Sequence, residues 1–163
     1  MFGVYGHKDA VQIALRGLMH LQHRGPHGSG LVAVGRDMMH LVKGEGRVPE
    51  VITSRNTQGL EAPAAGGHTR YTLQGANDLR NVQPFSQEMG AEPDCKFGGV
   101  AEYSNSSNFE REFTEDPFSL MHNGSFNRGL VGRKEGESDT KTFTRMVSRG
   151  KGSFKENLFS SLE

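Results

Sequence analysis

The segment GHTRYTLQG at residues 67–75 continues a run, starting at Ala64, that predicts a strand entering a polar loop. Three other segments combine polar side chains with a predicted strand or helix end in the same way. They are FGVYG at residues 2–6, LMHNG at residues 120–124 and SDT at residues 138–140. Each alone has an ordinary structural explanation, since Asn-Gly favours turns and Ser-Asp favours helix caps. Four such segments at the ends of rigid elements together indicate a functional site.

The composition of the 163-residue chain excludes several classes of function. Lys and Arg number 19 and are balanced by 19 Asp and Glu, so the pI is about 7.1 and there is no electrostatic footprint for nucleic acid or an anionic membrane. No apolar run approaches the ~20 residues of a membrane span, and no signal peptide is recognisable. The single cysteine, Cys95, cannot form an internal disulfide or a cysteine-based zinc cluster. We therefore expect a cytoplasmic protein with no cofactor.

Hydrophobic periodicity and turn residues predict a series of short elements. A buried strand at residues 2–6 precedes a helix that Asp9 caps and Gly25 stops. Ser138 is the predicted N-cap of a second helix, from Asp139 to Arg149. The remaining predictions are strands at residues 31–34, 39–42, 64–71 and 118–121, a short helix from Pro49 to about Arg55, a loop at residues 75–84 and a weakly amphipathic tail at residues 154–162.

The stretch at residues 88–116 differs in composition from the rest of the chain. Eight acidic residues there stand against only Lys96 and Arg111. The tract SNSSN at residues 104–108 is polar and low in complexity, which favours a solvated loop or insertion over a binding surface. We therefore predict a single domain over residues 1–163 that carries an acidic insertion at about residues 88–116.

These segments, together with two others, resemble the glutaminase domain of class II glutamine amidotransferases, which are N-terminal-nucleophile hydrolases. The likeness is strongest to the amidophosphoribosyltransferases of purine biosynthesis. The matching stretches, in family order, are FGVYG (2–6), LQHRGPHGSG (21–30), GHTRYTLQG (67–75), NVQPF (81–85), LMHNG (120–124) and SDT (138–140). The resemblance implies an α+β fold, a four-layer αββα sandwich of two antiparallel sheets, here shortened at its C-terminal end.

The resemblance also assigns roles to matching positions. Arg70 would pair with the α-carboxylate of glutamine and Asp139 with its α-ammonium group, because a guanidinium and a carboxylate suit such a zwitterion. Asn123, through its side-chain amide, and Gly124, through its backbone N–H, would form the oxyanion hole. The other implied binding residues are Arg24, which would brace the N-terminus, His68 and Thr69. The implied ligand is glutamine or a similar small amino acid.

The first segment departs from the family pattern at the nucleophile. The family has an N-terminal cysteine whose thiolate attacks the glutamine amide and whose own α-amine acts as the base. Gly3 and Gly6 set a register in which Phe2, preceded by Met1, occupies that position. A phenylalanine ring has no attacking atom, and losing the nucleophile of a comparable hydrolase costs about 10⁶-fold in rate. We therefore expect a catalytically degenerate domain, a pseudoenzyme that keeps an amino-acid pocket.

Two alternatives remain open at this point. In the first, the domain is an active glutaminase with a non-standard nucleophile, for which Cys95 is the available thiol, although its acidic surroundings disfavour the thiolate. In the second, the fold is a non-catalytic scaffold for a protein partner or for self-association. The chain has seven histidines, but they form no HExxH pair, so we assign them structural roles and expect no metal site.

Overall fold

The computed structural model describes residues 1–35, 38–72, 79–88, 107–112, 117–124, 126, 135–150 and 153–161. The strands in this part of the chain are β1 (Phe2–Tyr5), β2 (Gly28–Val34), β3 (Met38–Glu45), β4 (Ala64–Arg70), β5 (Phe85–Glu88), β6 (Ser107–Glu112) and β7 (Pro117–Leu120). The helices are α1 (Ala10–His20), α2 (Val48–Val51), α3 (Ser54–Thr57), α4 (Asp139–Arg149) and α5 (Phe154–Ser160). Short 3₁₀ turns occur at Gln22–Arg24 and Leu79–Asn81.

The strands form two antiparallel sheets. The first has the order β1-β4-β2-β3-β6, and the second consists of β5 and β7. Within the first sheet, β2 and β4 pair along their whole length, so that Gly28 lies opposite Arg70 and Val34 opposite Ala64. The α+β fold with two antiparallel sheets is therefore confirmed.

Helix α1 covers one face of the first sheet because it presents an apolar stripe to that face. Val11, Ala14 and Leu18 are buried there, at helical spacings of three and four residues. Leu18 lies over Gly67 of β4, where a β-carbon would come within 2.3 Å of the leucine side chain. The absence of a side chain at Gly67 therefore lets the helix approach the sheet closely.

The opposite face of the first sheet packs on the segment that leads into the second sheet. A β-carbon at Gly30 would come within 2.1 Å of the Gln83 carbonyl oxygen and 2.7 Å of Pro84 Cδ. A β-carbon at Gly28 would come within 2.8 Å of the Val82 side chain. Alternate residues of a strand face the same side. Two glycines spaced two apart on β2 therefore provide the space for this segment.

Helix α4 covers the second sheet. Phe118 of β7 packs with Phe143 and Val147 of α4 in a separate apolar cluster. Ser138 is the N-cap, and its side chain accepts a hydrogen bond from the Lys141 N–H at 3.3 Å. The predicted helix and cap are confirmed here. The layers follow the order helix, sheet, sheet, helix.

One strand prediction is wrong, and the expected solvated stretch contains a strand that was not predicted. β1 is not a buried strand but an edge strand of the first sheet, and most of its residues are exposed. The predicted solvated insertion contains β6, which pairs with β3 from Met38 to Lys43. This segment is a strand because its backbone pairs with β3, although its sequence does not alternate apolar and polar residues. Apart from Glu88 at the end of β5, the rest of the insertion lies outside the described residues.

Several predicted boundaries also differ from the structure. Helix α1 ends at His20 and a 3₁₀ turn follows, so Gly25 is not its stop. Asp9 occupies the N-cap position without a side-chain cap bond, and its N–H instead donates to His7 Nδ1 at 3.0 Å. The predicted helix after Pro49 is two short helices separated by extended backbone at Ile52. Strand β5 was not predicted.

Candidate functional site

A cavity of about 610 Å³ opens near the end of β4, the segment that follows β7 and the start of α4. Its volume lies within the roughly 300–1,000 Å³ typical of small-molecule sites. The predicted site residues that line it are Arg24, His68, Thr69, Arg70, Asn123, Gly124 and Asp139. The other lining residues are Met1, Leu21, His23, Tyr71, Gln83, His122, Ser138 and Thr140. The fold therefore brings together residues that are far apart in the sequence.

Arg70 is a buried cation at the end of β4. Its exposed fraction is 5%, and its guanidinium donates hydrogen bonds to the Asn81 carbonyl oxygen and, at 3.4 Å, to the Thr72 hydroxyl. A guanidinium stays charged in proteins, and bonds of this kind fix the plane of its donors. Arg70 therefore contributes an oriented positive charge to the cavity wall, which suits a carboxylate.

Asp139 is the first residue of α4, and backbone N–H groups hold its carboxylate. Oδ1 accepts a hydrogen bond from the Thr140 N–H at 2.8 Å, and Oδ2 accepts one from the Phe126 N–H at 2.9 Å. The N-terminal end of a helix favours negative charge. The carboxylate is thereby oriented at the cavity wall, where it can accept hydrogen bonds from an ammonium group.

Buried Asn81 links Arg70 to the start of α4, where Asp139 lies. Its Oδ1 accepts a hydrogen bond from the Ser138 N–H at 2.7 Å, and its Nδ2 donates to the Gly136 carbonyl oxygen at 2.8 Å. The Asn81 backbone carbonyl accepts from Arg70. One residue therefore sets the position of the guanidinium relative to the start of α4.

The segment after β7 contributes an amide side chain and a glycine to the cavity. Asn123 and Gly124 are both exposed. Gly124 has a φ angle of 145°, which favours glycine, and a β-carbon there would come within 3.0 Å of the His122 ring. His68 Nε2 lies 2.9 Å from Asn123 Oδ1. Adjacent residues thus supply a side-chain amide and a backbone N–H, a donor pair that suits a developing negative charge.

Gln83 attaches this segment to the start of α4. Its Oε1 accepts a hydrogen bond from the His122 N–H at 2.8 Å. Its Nε2 donates to the His122 carbonyl oxygen at 3.3 Å and to the Thr140 hydroxyl at 3.4 Å. Gln83 and Asn81 both belong to the NVQPF segment, and sequence reasoning missed their contributions. The quoted motif was the signal that could have found them.

The LQHRGPHGSG segment, which carries Arg24, is attached to the end of β4. The Thr69 hydroxyl donates to the Leu21 carbonyl oxygen at 3.4 Å, and the His27 N–H donates to the Arg70 carbonyl oxygen at 3.0 Å. These bonds explain how the segments at residues 21–30 and 67–75 come to line the same cavity.

Two basic groups at the cavity wall have lowered pKa values. Burial lowers the pKa of His68 to about 4, and the hydrogen bond with Asn123 offsets only part of that effect. The charges of the N-terminus and Arg70 lower it further. Burial, followed by the charge of Arg24, also lowers the pKa of the Met1 α-amine. Burial and the nearby positive charges therefore both favour the neutral forms of His68 and of the Met1 amine.

Phe2 does not line the cavity. Its ring packs over Gly17 of α1, where a β-carbon would come within 2.5 Å of the ring. Met1 lines the cavity instead. Successive side chains of a strand point to opposite faces, which explains the difference between these two neighbours. The assignment of Phe2 to the position of the missing nucleophile stays a prediction.

Other predicted features fall outside what the structure describes. Cys95, the thiol of the first alternative, is among the residues that are not described. Within the described residues, no group of three or more His, Cys, Asp or Glu side chains is arranged to hold a metal ion. No helix in the same part of the chain has the length and apolar character needed to cross a membrane.

Comparisons with known proteins place the chain among amidotransferases. No protein-family model matches it. Amidophosphoribosyltransferase of Bacillus subtilis is 39% identical over 94 residues, which cover 56% of this chain and 20% of the relative. Amidophosphoribosyltransferase 2, chloroplastic, of Arabidopsis thaliana is 33% identical over 153 residues, which cover 91% of this chain and 24% of the relative.

A solved structure agrees with these relatives. The glutamine phosphoribosylpyrophosphate amidotransferase of B. subtilis, complexed with ADP and GMP, matches with a TM-score of 0.71 at 27% identity. The match covers 98% of this chain and 31% of that one, so this chain spans less than a third of the length of its relatives. The chain is therefore homologous to the glutamine amidotransferase domain of amidophosphoribosyltransferases and shares its N-terminal-nucleophile hydrolase fold.

Proposed function

We propose that this chain is a glutaminase-type domain, of the kind found in purine biosynthesis, that binds glutamine or a similar free amino acid and lacks the nucleophile to hydrolyse it. The observation that carries the proposal is one cavity lined by an oriented cation, Arg70, an oriented anion, Asp139, and the donors of Asn123 and Gly124. These are complementary to the two ends of glutamine.

The charged pair accounts for recognition of the amino-acid end. Arg70 takes the α-carboxylate and Asp139 the α-ammonium group. Hydrogen bonds to the protein hold both side chains before the ligand arrives, so binding orders few groups and its entropic cost is small. Because each partner needs a free charged α-group, the site selects a free amino acid over a residue inside a peptide.

The donors account for recognition of the side chain. The carbonyl oxygen of the glutamine amide accepts hydrogen bonds from Asn123 and Gly124. In an active relative the same donors would stabilise the oxyanion that forms when a thiolate attacks. With Phe2 at the position of the nucleophile and its ring packed on α1, the domain binds the amide without a group to attack it.

Calorimetry with L-glutamine tests this proposal. We expect wild-type protein to bind, and Arg70→Ala to bind about 10- to 100-fold more weakly, because hydrogen bonds to charged groups contribute about 1.5–3 kcal/mol. Arg16→Ala, which removes an exposed arginine of α1, is the matched control and should bind like wild type. Thermal melting of each variant monitors the fold.

Three results would contradict the proposal. Absence of binding at millimolar glutamine would show that the cavity is not a glutamine site. An unchanged affinity in Arg70→Ala would show that Arg70 does not bind the ligand. Release of ammonia from glutamine by the wild-type protein would show that the domain is an active glutaminase.

A further inference from the structure

The link between His68 on β4 and Asn123 after β7 joins two parts of the cavity that lie 55 residues apart in sequence. His68 is 4% exposed, whereas Asn123 is exposed to the cavity. We propose that His68 is a positioning residue that turns the Asn123 carboxamide so that its Nδ2 hydrogens face the ligand. This inference rests on the proposed function, because it concerns how the pocket reads the ligand's side-chain oxygen.

The surroundings of His68 select one neutral tautomer. Burial lowers the pKa of His68 to about 4, so the ring is neutral at pH 7 and carries one N–H. Within the described residues, the buried Nδ1 has no hydrogen-bond partner. A buried N–H without an acceptor is costlier and rarer than an unused acceptor. The proton therefore resides on Nε2, which donates to Asn123 Oδ1 at 2.9 Å.

This bond decides which end of the Asn123 amide the ligand meets. A carboxamide has an acceptor on one side and donors on the other, and the two orientations have almost the same shape. With Oδ1 bound to His68, the Nδ2 group is directed elsewhere, and no described residue accepts a hydrogen bond from it. The reversed amide would present an oxygen to the ligand's oxygen, which is repulsive. His68 therefore selects ligands that carry a carbonyl oxygen at this point.

The test compares the affinities of the 163-residue chain for two ligands, glutamine and norleucine. Norleucine has a side chain of the same length as glutamine but no oxygen. The side-chain oxygen of glutamine meets two donors, Asn123 and the Gly124 N–H, so we expect wild-type protein to prefer glutamine by about 10- to 100-fold, as two net hydrogen bonds imply. His68→Leu should lower the ratio of glutamine affinity to norleucine affinity by about 3- to 10-fold, the share of the Asn123 hydrogen bond, because the Gly124 N–H can still donate. His68→Gln, which can place an amide donor near the Nε2 position, should restore that ratio.

Nitrogen NMR of the ligand-free protein gives an independent measurement. We expect the Nε2–H tautomer of His68 and a shift of the Asn123 NH₂ signals in His68→Leu. An Nδ1–H tautomer, or a glutamine preference in His68→Leu equal to that of wild type, would overturn the role of His68. If wild-type protein binds neither ligand, the proposed function fails, and the tautomer and the Asn123 signals still decide the positioning role.

Discussion

The backbone carbonyl oxygen of Asn81 accepts a hydrogen bond from the guanidinium of Arg70, while the Asn81 side chain holds the start of α4. In Asn81→Leu the carbonyl remains, but the buried Ser138 N–H loses its acceptor. An unpaired buried donor costs about 1–3 kcal/mol, so we expect the free energy of unfolding in urea to fall by that amount. Gln12→Leu, at an exposed position of α1, is the control and should change it by less than about 0.5 kcal/mol. Equal stability of the two variants would contradict this.

Gly30 and Gly3 make contrasting tests of the packing between the sheets. A β-carbon at Gly30 would come within 2.1 Å of the Gln83 carbonyl oxygen, whereas the nearest atom to one at Gly3 is 3.8 Å away. Overpacking typically costs about 1–3 kcal/mol. We expect Gly30→Ala to lose at least this much stability and Gly3→Ala to stay close to wild type in thermal melts. Because Gln83 orients the segment that carries Asn123, Gly30→Ala should also weaken glutamine binding.

Lys43 should make the free energy of unfolding vary with pH in the alkaline range. Its Nζ donates to the Val82 carbonyl oxygen at 3.1 Å and lies 5.2 Å from the centre of the Phe85 ring. Burial, with a smaller effect from Lys141, lowers the pKa of Lys43 to about 8. Between pH 8 and about 10.5 the unfolded chain binds more protons than the folded one, so the free energy of unfolding rises with pH.

One pKa unit corresponds to 1.36 kcal/mol, so the lowering of the Lys43 pKa from 10.5 to about 8 limits this effect to about 3 kcal/mol. Lys43→Met keeps a side chain of similar length and removes the titrating group. We expect the difference in unfolding free energy between wild type and Lys43→Met, measured in urea at pH 7.5 and 10, to change by up to that amount in favour of wild type. A difference that is the same at both pH values would show that the Lys43 amine is not desolvated.

Local sequence information accounts for one part of the fold and site but not for the rest. The helix at Asp139 was predictable because Ser138 caps it through neighbouring backbone. The bonds of Asn81 and Gln83 reach partners 39 to 57 residues away, so no local pattern reveals them. β6 lacks apolar alternation and is a strand because it pairs with β3. The direction of Phe2 depends on which face of β1 meets α1, which is a property of the assembled sheet.

Placing a cysteine at residue 2 tests whether the rest of the site is competent for hydrolysis. With Met1 present, side chain 2 faces α1 and the chain leads into the cavity. Without Met1, residue 2 carries the α-amine, and rotation about its ψ angle can turn the side chain into the direction that the chain now takes toward the cavity. We therefore expect Phe2→Cys, prepared by cleaving a leader directly before residue 2, to hydrolyse glutamine at a detectable rate.

The matched control is Phe2→Cys with the leader cleaved before Met1, which keeps the same thiol. There the thiol stays on the α1 side and its own amine is inside a peptide bond, so no base is next to it. Since general base catalysis contributes about 10²–10⁴-fold, we expect the form that begins at residue 2 to release ammonia at least about 100-fold faster. Equal and negligible rates, in proteins that still bind glutamine, would mean that the donors at Asn123 and Gly124 no longer point at the reacting carbonyl.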